Sequence, residues 1–291
     1  MIRRSVIAIV VLVFAVASLA QAQTGSGVDV TQDISYGPLP IHHLDVCEPH
    51  DGTDLPGVVL LHGGGWQAGD KRDILRFCRA LAGRGIVGIG VNYTLGDRHI
   101  PSTQWPAQLA DVQLAVRWAR AHARELRLAP TKLCAMGYSA GGHLAVFLGV
   151  TATSAPGDLA RFFDDQSSKV ACVVDNFGPV DLLDPSYGGG RHPAFFSMRR
   201  DESPALYKEA SPLYFVTADT SPMLIMQGSD DDQVPLSQSA RLAQALRGKS
   251  VPVELITYPG GHDYGGMSPA QLDKIIVAQS SYLLTRHGSL E

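Results

Sequence analysis

The sequence predicts an α/β fold: a mostly parallel, eight-stranded sheet with helices on both faces. Three observations carry this. Short continuous apolar runs recur along the chain, as expected of strands covered on both sides. Stretches of helical periodicity separate or follow them, the alternation that builds a parallel sheet. Pro106, Pro235 and Pro269 stand at the starts of three of those stretches, where a first-turn proline is tolerated.

In chain order, two alternating stretches around Val28–Tyr36 and Ile41–Cys47, joined at Gly37-Pro38, read as an antiparallel pair. Gly57–Leu61 is the first covered strand, and a helix is expected from Asp70 to Arg84. Strands follow at Ile86–Val91, Lys132–Gly137, Val170–Phe177, Met223–Gln227 and Val253–Thr257, with helices at Pro106–Arg124, Ala140–Val150, Pro235–Leu246 and Pro269–Leu284. Residues 181–221 break the rhythm. They are rich in Gly, Pro, Ser and aromatic residues, with one short helical stretch near Pro204–Glu209, and are too long for an ordinary connection. They read as a cap-like insertion that shapes a cleft, the alternative being a surface loop.

A chain of 291 residues can bury one large core, so residues 23–291 are read as one domain. Ahead of it, Arg3 and Arg4 precede an apolar run from Val6 to Ala17 and the small-residue stretch Ser18-Leu19-Ala20-Gln21-Ala22. That is a cleavable signal peptide over 1–22, too short to span a bilayer at ~20 residues, and it implies a secreted or periplasmic product without stable membrane insertion. A net charge of -4 with interleaved signs offers no basic stripe for nucleic acid. The four cysteines allow three pairings; Cys134 and Cys172, inside apolar runs, are expected as small buried hydrophobes rather than bridged to each other. None has C-x-x-C spacing, so no structural metal is expected.

Chemistry concentrates in four motifs. Gly137-Tyr138-Ser139-Ala140-Gly141 is a G-x-S-x-G placed between a strand and a helix, where a sharp turn would project the Ser139 hydroxyl as a nucleophile. His262, in the glycine-rich turn after the last strand, is the candidate base; His143, His192 and His287 are set aside as structural or solvated. Asp230-Asp231-Asp232 follow the Met223–Gln227 strand. Asp231 is the preferred orienting acid, Asp230 the second choice and Asp175 a remote third. His62-Gly63-Gly64-Gly65-Trp66 can present the amides of Gly64 and Gly65, with that of Ala140, to a developing oxyanion. Trp66 and Tyr138 are assigned to substrate contact, with core packing an equal alternative for Trp66.

Taken together, these motifs, with Val234-Pro235 after the acid, resemble the α/β-hydrolase-fold carboxylesterases. Within them, the likeness is to the acetyl-xylan and feruloyl esterase-like (BD-FAE-like) branch near the hormone-sensitive-lipase-like enzymes, and it runs from about residue 30 to the end. The resemblance implies a cofactor-free serine esterase acting on short or aromatic acyl esters, small or linked to plant polysaccharide. The chain departs from the lipase-like relatives in lacking their long N-terminal cap. An amidase, formamidase or peptidase-like hydrolase on the same triad, and a silent binding protein, are the competing readings. Oligomeric state is not legible.

Overall fold

The computed structural model describes residues 27–151, 157–187 and 192–285. The signal peptide read at 1–22 and His287 lie outside the described residues. Eight strands form one sheet: β1 (Val28–Ser35), β2 (His43–Pro49), β3 (Leu55–Leu61), β4 (Val87–Val91), β5 (Leu128–Tyr138), β6 (Val173–Asn176), β7 (Met223–Gly228) and β8 (Val253–Tyr258). Their order is β1-β2-β4-β3-β5-β6-β7-β8, and only β2 runs against the rest.

Among the described residues six α-helices accompany them: α1 (Leu75–Ala82), α2 (Ala107–Ala121), α3 (Ala140–Val150), α4 (Pro204–Glu209), α5 (Leu236–Gly248) and, after the last strand, α6 (Pro269–Thr285). They bury the two faces of the sheet in separate cores. On one side Val59, Leu61 and Ala135 pack against Leu114 of α2, Leu144 of α3 and Leu242 of α5. On the other, Val58, Leu60 and Met136 pack against Phe77 of α1 and Leu283 of α6. Alternate residues of one strand thus enter opposite cores, and this is why β4, β6 and β7 are buried throughout while edge strand β8 is half-exposed. Among the described residues, no helix is long and apolar enough to cross a membrane.

Three expectations are adjusted. The helix read from Asp70 to Arg84 begins as a 3-10 turn over Lys71–Ile74, because Asp70 and Asp73 form a capping box that tightens it, and only then becomes α1. The strand read at Val170–Phe177 is shorter at both ends. Finally, Cys134 and Cys172 are not free: they form a disulfide, as do Cys47 and Cys78. The pairing of Ala135 with Val173 puts Cys134 beside Cys172 on the same face of adjacent strands, with Cα atoms 4.7 Å apart. Periodicity along each strand cannot reveal that register across strands.

Asp175, near the C-terminal end of β6, is fully buried. Its Oδ1 accepts the Gly178 amide at 2.9 Å, and its Oδ2 has no hydrogen-bond partner among the described residues. Burial pushes its carboxyl up to about 7. The ordinary value is 3.8, so between these limits the folded chain holds a proton that the unfolded chain has lost. The resulting stabilisation is complete below the lower limit and lost as pH rises through the upper one.

Asp175→Asn, which keeps an acceptor for Gly178, should therefore gain stability relative to the parent chain as pH rises from about 5 to about 8 in urea-unfolding measurements. A constant difference between the two chains would contradict burial as the cause. Replacing Cys134 and Cys172 together by Ala releases a loop of 38 residues and should lower the unfolding free energy by about 3 to 4 kcal/mol, measured the same way.

Candidate active site

Because β3, β5, β7 and β8 run parallel, the four motif-bearing loops leave the same edge of the sheet. Ser139 sits between the last residue of β5 and the first of α3 with φ 53° and ψ -118°, outside the ordinary regions for a residue with a side chain. The packing that imposes this is tight. A Cβ on Gly137 would collide with the carbonyl of Gly141, and one on Gly141 with the carbonyls of Leu61 and His62. The Ser139 amide is tied down by the carbonyl of Asn176 at 2.9 Å.

The Ser139 Oγ lies 2.7 Å from Nε2 of His262, and Nδ1 of His262 lies 2.8 Å from Oδ2 of Asp231. Of the three consecutive aspartates, the structure brings only Asp231 to the imidazole. It is buried, whereas Asp230 and Asp232 are exposed. The Asp231 carboxylate is saturated: Oδ2 also accepts Gln227 Nε2 at 2.9 Å, and Oδ1 accepts the amides of Gln233 and Val234 at 2.9 and 2.8 Å. Burial alone would raise its pKa, but the His262 contact and the two amides outweigh it and hold the group below the ordinary carboxylate value. An anion there fixes a proton on Nδ1 and leaves Nε2 free to accept from the serine. Asp175 lies in the core beneath α3, and the imidazole of His262 is engaged by Asp231 instead.

The glycine loop follows β3. Tyr93 stacks on His62 with ring centroids 4.3 Å apart and donates to its carbonyl at 2.8 Å. Gly64 adopts φ 111°, and its carbonyl accepts the amides of Gln67 and Ala68 at 3.1 and 3.0 Å. A Cβ there would strike the Ala68 carbonyl, so this turn requires glycine. Gly65, Trp66 and Gln67 line a small cleft of about 140 Å³ together with Ser139 and His262.

Trp66 is buried at the edge of the cleft. It lines the cleft, and its ring packs edge-on against Phe195 with centroids 4.6 Å apart. Tyr138 is elsewhere. Its ring is buried under the nucleophile against Phe77 and Tyr264, so the expectation of substrate contact is corrected: the residue before the serine is the last of β5, and its side chain points into the core on the far face.

His143, set aside as structural, links the glycine loop to the segment between β6 and β7. Its Nδ1 accepts the Trp66 indole N–H at 3.2 Å, and its Nε2 donates to the Ala210 carbonyl at 2.8 Å. Burial pulls its pKa down to about 4, so the ring is neutral as this pattern requires. Residues 181–221 connect β6 to β7, contain α4, and supply Tyr187 and Pro193 to the cleft; Gln233 completes the wall behind the acid. Gln67, Tyr187 and Gln233 carry no sequence signal of their own, because only the fold brings them to the nucleophile.

Comparison with known proteins agrees with this fold. Residues 44–246 match the family model described as BD-FAE. The chain is 30% identical over 268 residues to esterase LipC of Mycobacterium tuberculosis, which is 88% of this chain and 65% of that protein. With the probable carboxylic ester hydrolase LipM of the same organism it shares 30% identity over 232 residues, 74% of this chain and 51% of that protein. It thus spans between half and two thirds of the length of these relatives. Among solved structures, a truncated carbohydrate esterase from gut microbiota superposes with a TM-score of 0.75 at 26% identity, covering 89% of this chain and 99% of that one. An acetyl ester-xyloside bifunctional hydrolase from Caldicellulosiruptor lactoaceticus gives 0.73 at 25% identity, covering 84% and 87%. A thermophilic esterase from Thermogutta terrifontis gives 0.72 at 26% identity, covering 92% and 95%. With an eight-stranded sheet that carries serine, histidine and aspartate on loops at one edge, and a family model matched from β2 into α5, the chain belongs to the BD-FAE family of α/β-hydrolase-fold proteins.

Proposed function

We propose that this chain hydrolyses carboxylic esters through a covalent acyl-serine intermediate, with Ser139 as nucleophile, His262 as general base and then acid, and Asp231 as the orienting anion. The observation that carries the reading is the unbroken relay from hydroxyl to imidazole to carboxylate, 2.7 and 2.8 Å, opening on the cleft. His262 Nε2 takes the hydroxyl proton as Oγ adds to the ester carbonyl, and imidazolium forms beside the Asp231 anion. The tetrahedral oxyanion is held by the amides of Ala140, at the positive end of α3, and of Gly64 and Gly65. Collapse expels the alcohol, which takes its proton from His262; water then repeats the cycle and frees the acid.

Short acyl groups and aromatic acyl groups such as feruloyl are the proposed substrates, on small alcohols or on plant polysaccharide. The small cleft and the likeness to a carbohydrate esterase and an acetyl ester-xyloside hydrolase support this class. Residues 181–221 act as a short cap, a reading supported by Tyr187 and Pro193 in the cleft wall. We further propose that residues 1–22 direct export, a reading supported by the two disulfides, which persist in oxidising compartments.

Ser139→Ala should lower kcat on nitrophenyl acetate by roughly 10⁴-fold or more, with an unchanged urea midpoint. Turnover at the parent rate would overturn the proposal, and faster cleavage of a matched amide than of the ester would favour the amidase reading. Asp231→Asn should cost on the order of 10⁴-fold in kcat by leaving His262 in the wrong tautomer, whereas Asp230→Asn should stay near the parent rate. The reverse ranking would reassign the acid.

A further inference from the structure

Beneath the reacting pair lies a buried polar junction that none of the roles above uses. Asn176, the last residue of β6, is fully buried and touches every segment that carries the pair. Its carbonyl accepts the Ser139 amide at 2.9 Å, and its side-chain Nδ2 donates to the Gly137 carbonyl at 2.9 Å. One residue thus holds both sides of the serine turn. Its Oδ1 faces the other way and accepts two bonds, from the Tyr264 hydroxyl at 2.6 Å and from Gln279 Nε2 of α6 at 2.7 Å.

Tyr264 lies two residues beyond His262, in the irregular segment between β8 and α6. A backbone bond from the Asp230 amide to the Gly260 carbonyl at 2.9 Å fixes the start of that segment, and beyond it side-chain anchors help to place the imidazole. Tyr264 is one such anchor, buried against Phe177 and Tyr258 with ring centroids 5.3 Å away in each case. Phe177, the residue after Asn176, meets the His262 ring edge-on at 5.1 Å. In a low-dielectric core an amide with three such bonds is held in place, because a shift leaves a donor or acceptor unpaired.

We propose that Asn176 and Tyr264 are positioning residues that set the distance between Ser139 and His262, by clamping the serine turn and the histidine loop to one side-chain amide. The inference rests on the reading of Ser139 and His262 as the reacting pair, but the contact it concerns exists without substrate. A displacement of about 1 Å between reacting groups can cost roughly 10²-fold in rate, so a clamp of this kind governs kcat more than binding.

The test is Tyr264→Phe, which keeps the ring and removes only the hydroxyl. The first readout is substrate-free: proton NMR of the Nδ1–H that His262 gives to Asp231. In the variant this resonance should exchange with water at least about tenfold faster, because the histidine loop has lost its tie. The second is kinetic: kcat for nitrophenyl acetate should fall about 10- to 100-fold with KM within about twofold, while the urea midpoint moves little. Asn176→Ala should give the same exchange and kinetic pattern with a lower urea midpoint, because it strands its partners in the core, and the double variant should cost less in kcat than the product of the two singles, since both remove one junction.

An unchanged Nδ1–H exchange rate in folded Tyr264→Phe overturns the inference whatever the kinetics, as does strict additivity in the double variant. If the parent chain cleaves no ester but the exchange rate still rises, the clamp stands and the esterase reading falls.

Discussion

The site depends on one packing constraint: the first turn of α3 lies so close to the ends of β3 and β5 that only hydrogen fits where Gly137 and Gly141 carry their side chains. That approach forces Ser139 into a left-handed conformation and turns its hydroxyl away from the sheet toward the loop after β8. The backbone strain at Ser139 falls on the residue with the proposed chemical role, and it is supported by the buried β-strands on either side.

Electrostatics then decide what the geometry can do. Asp231 is buried yet anionic because the amides of Gln233 and Val234, Gln227 and His262 fill its lone pairs. Asp175, more deeply buried and with one oxygen unpartnered, is pushed toward neutrality instead. Two carboxyls near adjacent strand ends thus differ through their depth of burial and their hydrogen-bond complement. That difference suits one for orienting a histidine and leaves the other as a pH-dependent load on the fold.

The cleft is a joint construction of distant segments. The glycine loop supplies Gly65 and Trp66, the serine turn the hydroxyl, and the segment 181–221 Tyr187 and Pro193. His143 ties two of these segments together, accepting a hydrogen bond from the Trp66 indole and donating to the Ala210 carbonyl, so that the glycine loop and the segment 181–221 share one neutral imidazole. Asn176 performs the matching task underneath, between the serine turn and the histidine loop.

The sequence by itself determined what is local. Strand and helix order follow from periodicity, and Ser139, His262 and the glycine loop stand out because each needs residue types at fixed spacings along a few consecutive positions. The choice of Asp231 over Asp230 leaned on the spacing to Val234-Pro235; only the tertiary structure shows which carboxylate is buried against His262 and which stay in solvent. Whatever depends on register between strands was illegible. The Cys134–Cys172 bridge, the inward turn of Tyr138, and the side-chain junctions at His143 and Asn176 arise only when segments far apart in the chain come to lie side by side. No periodicity within one segment encodes which residue of another it will face.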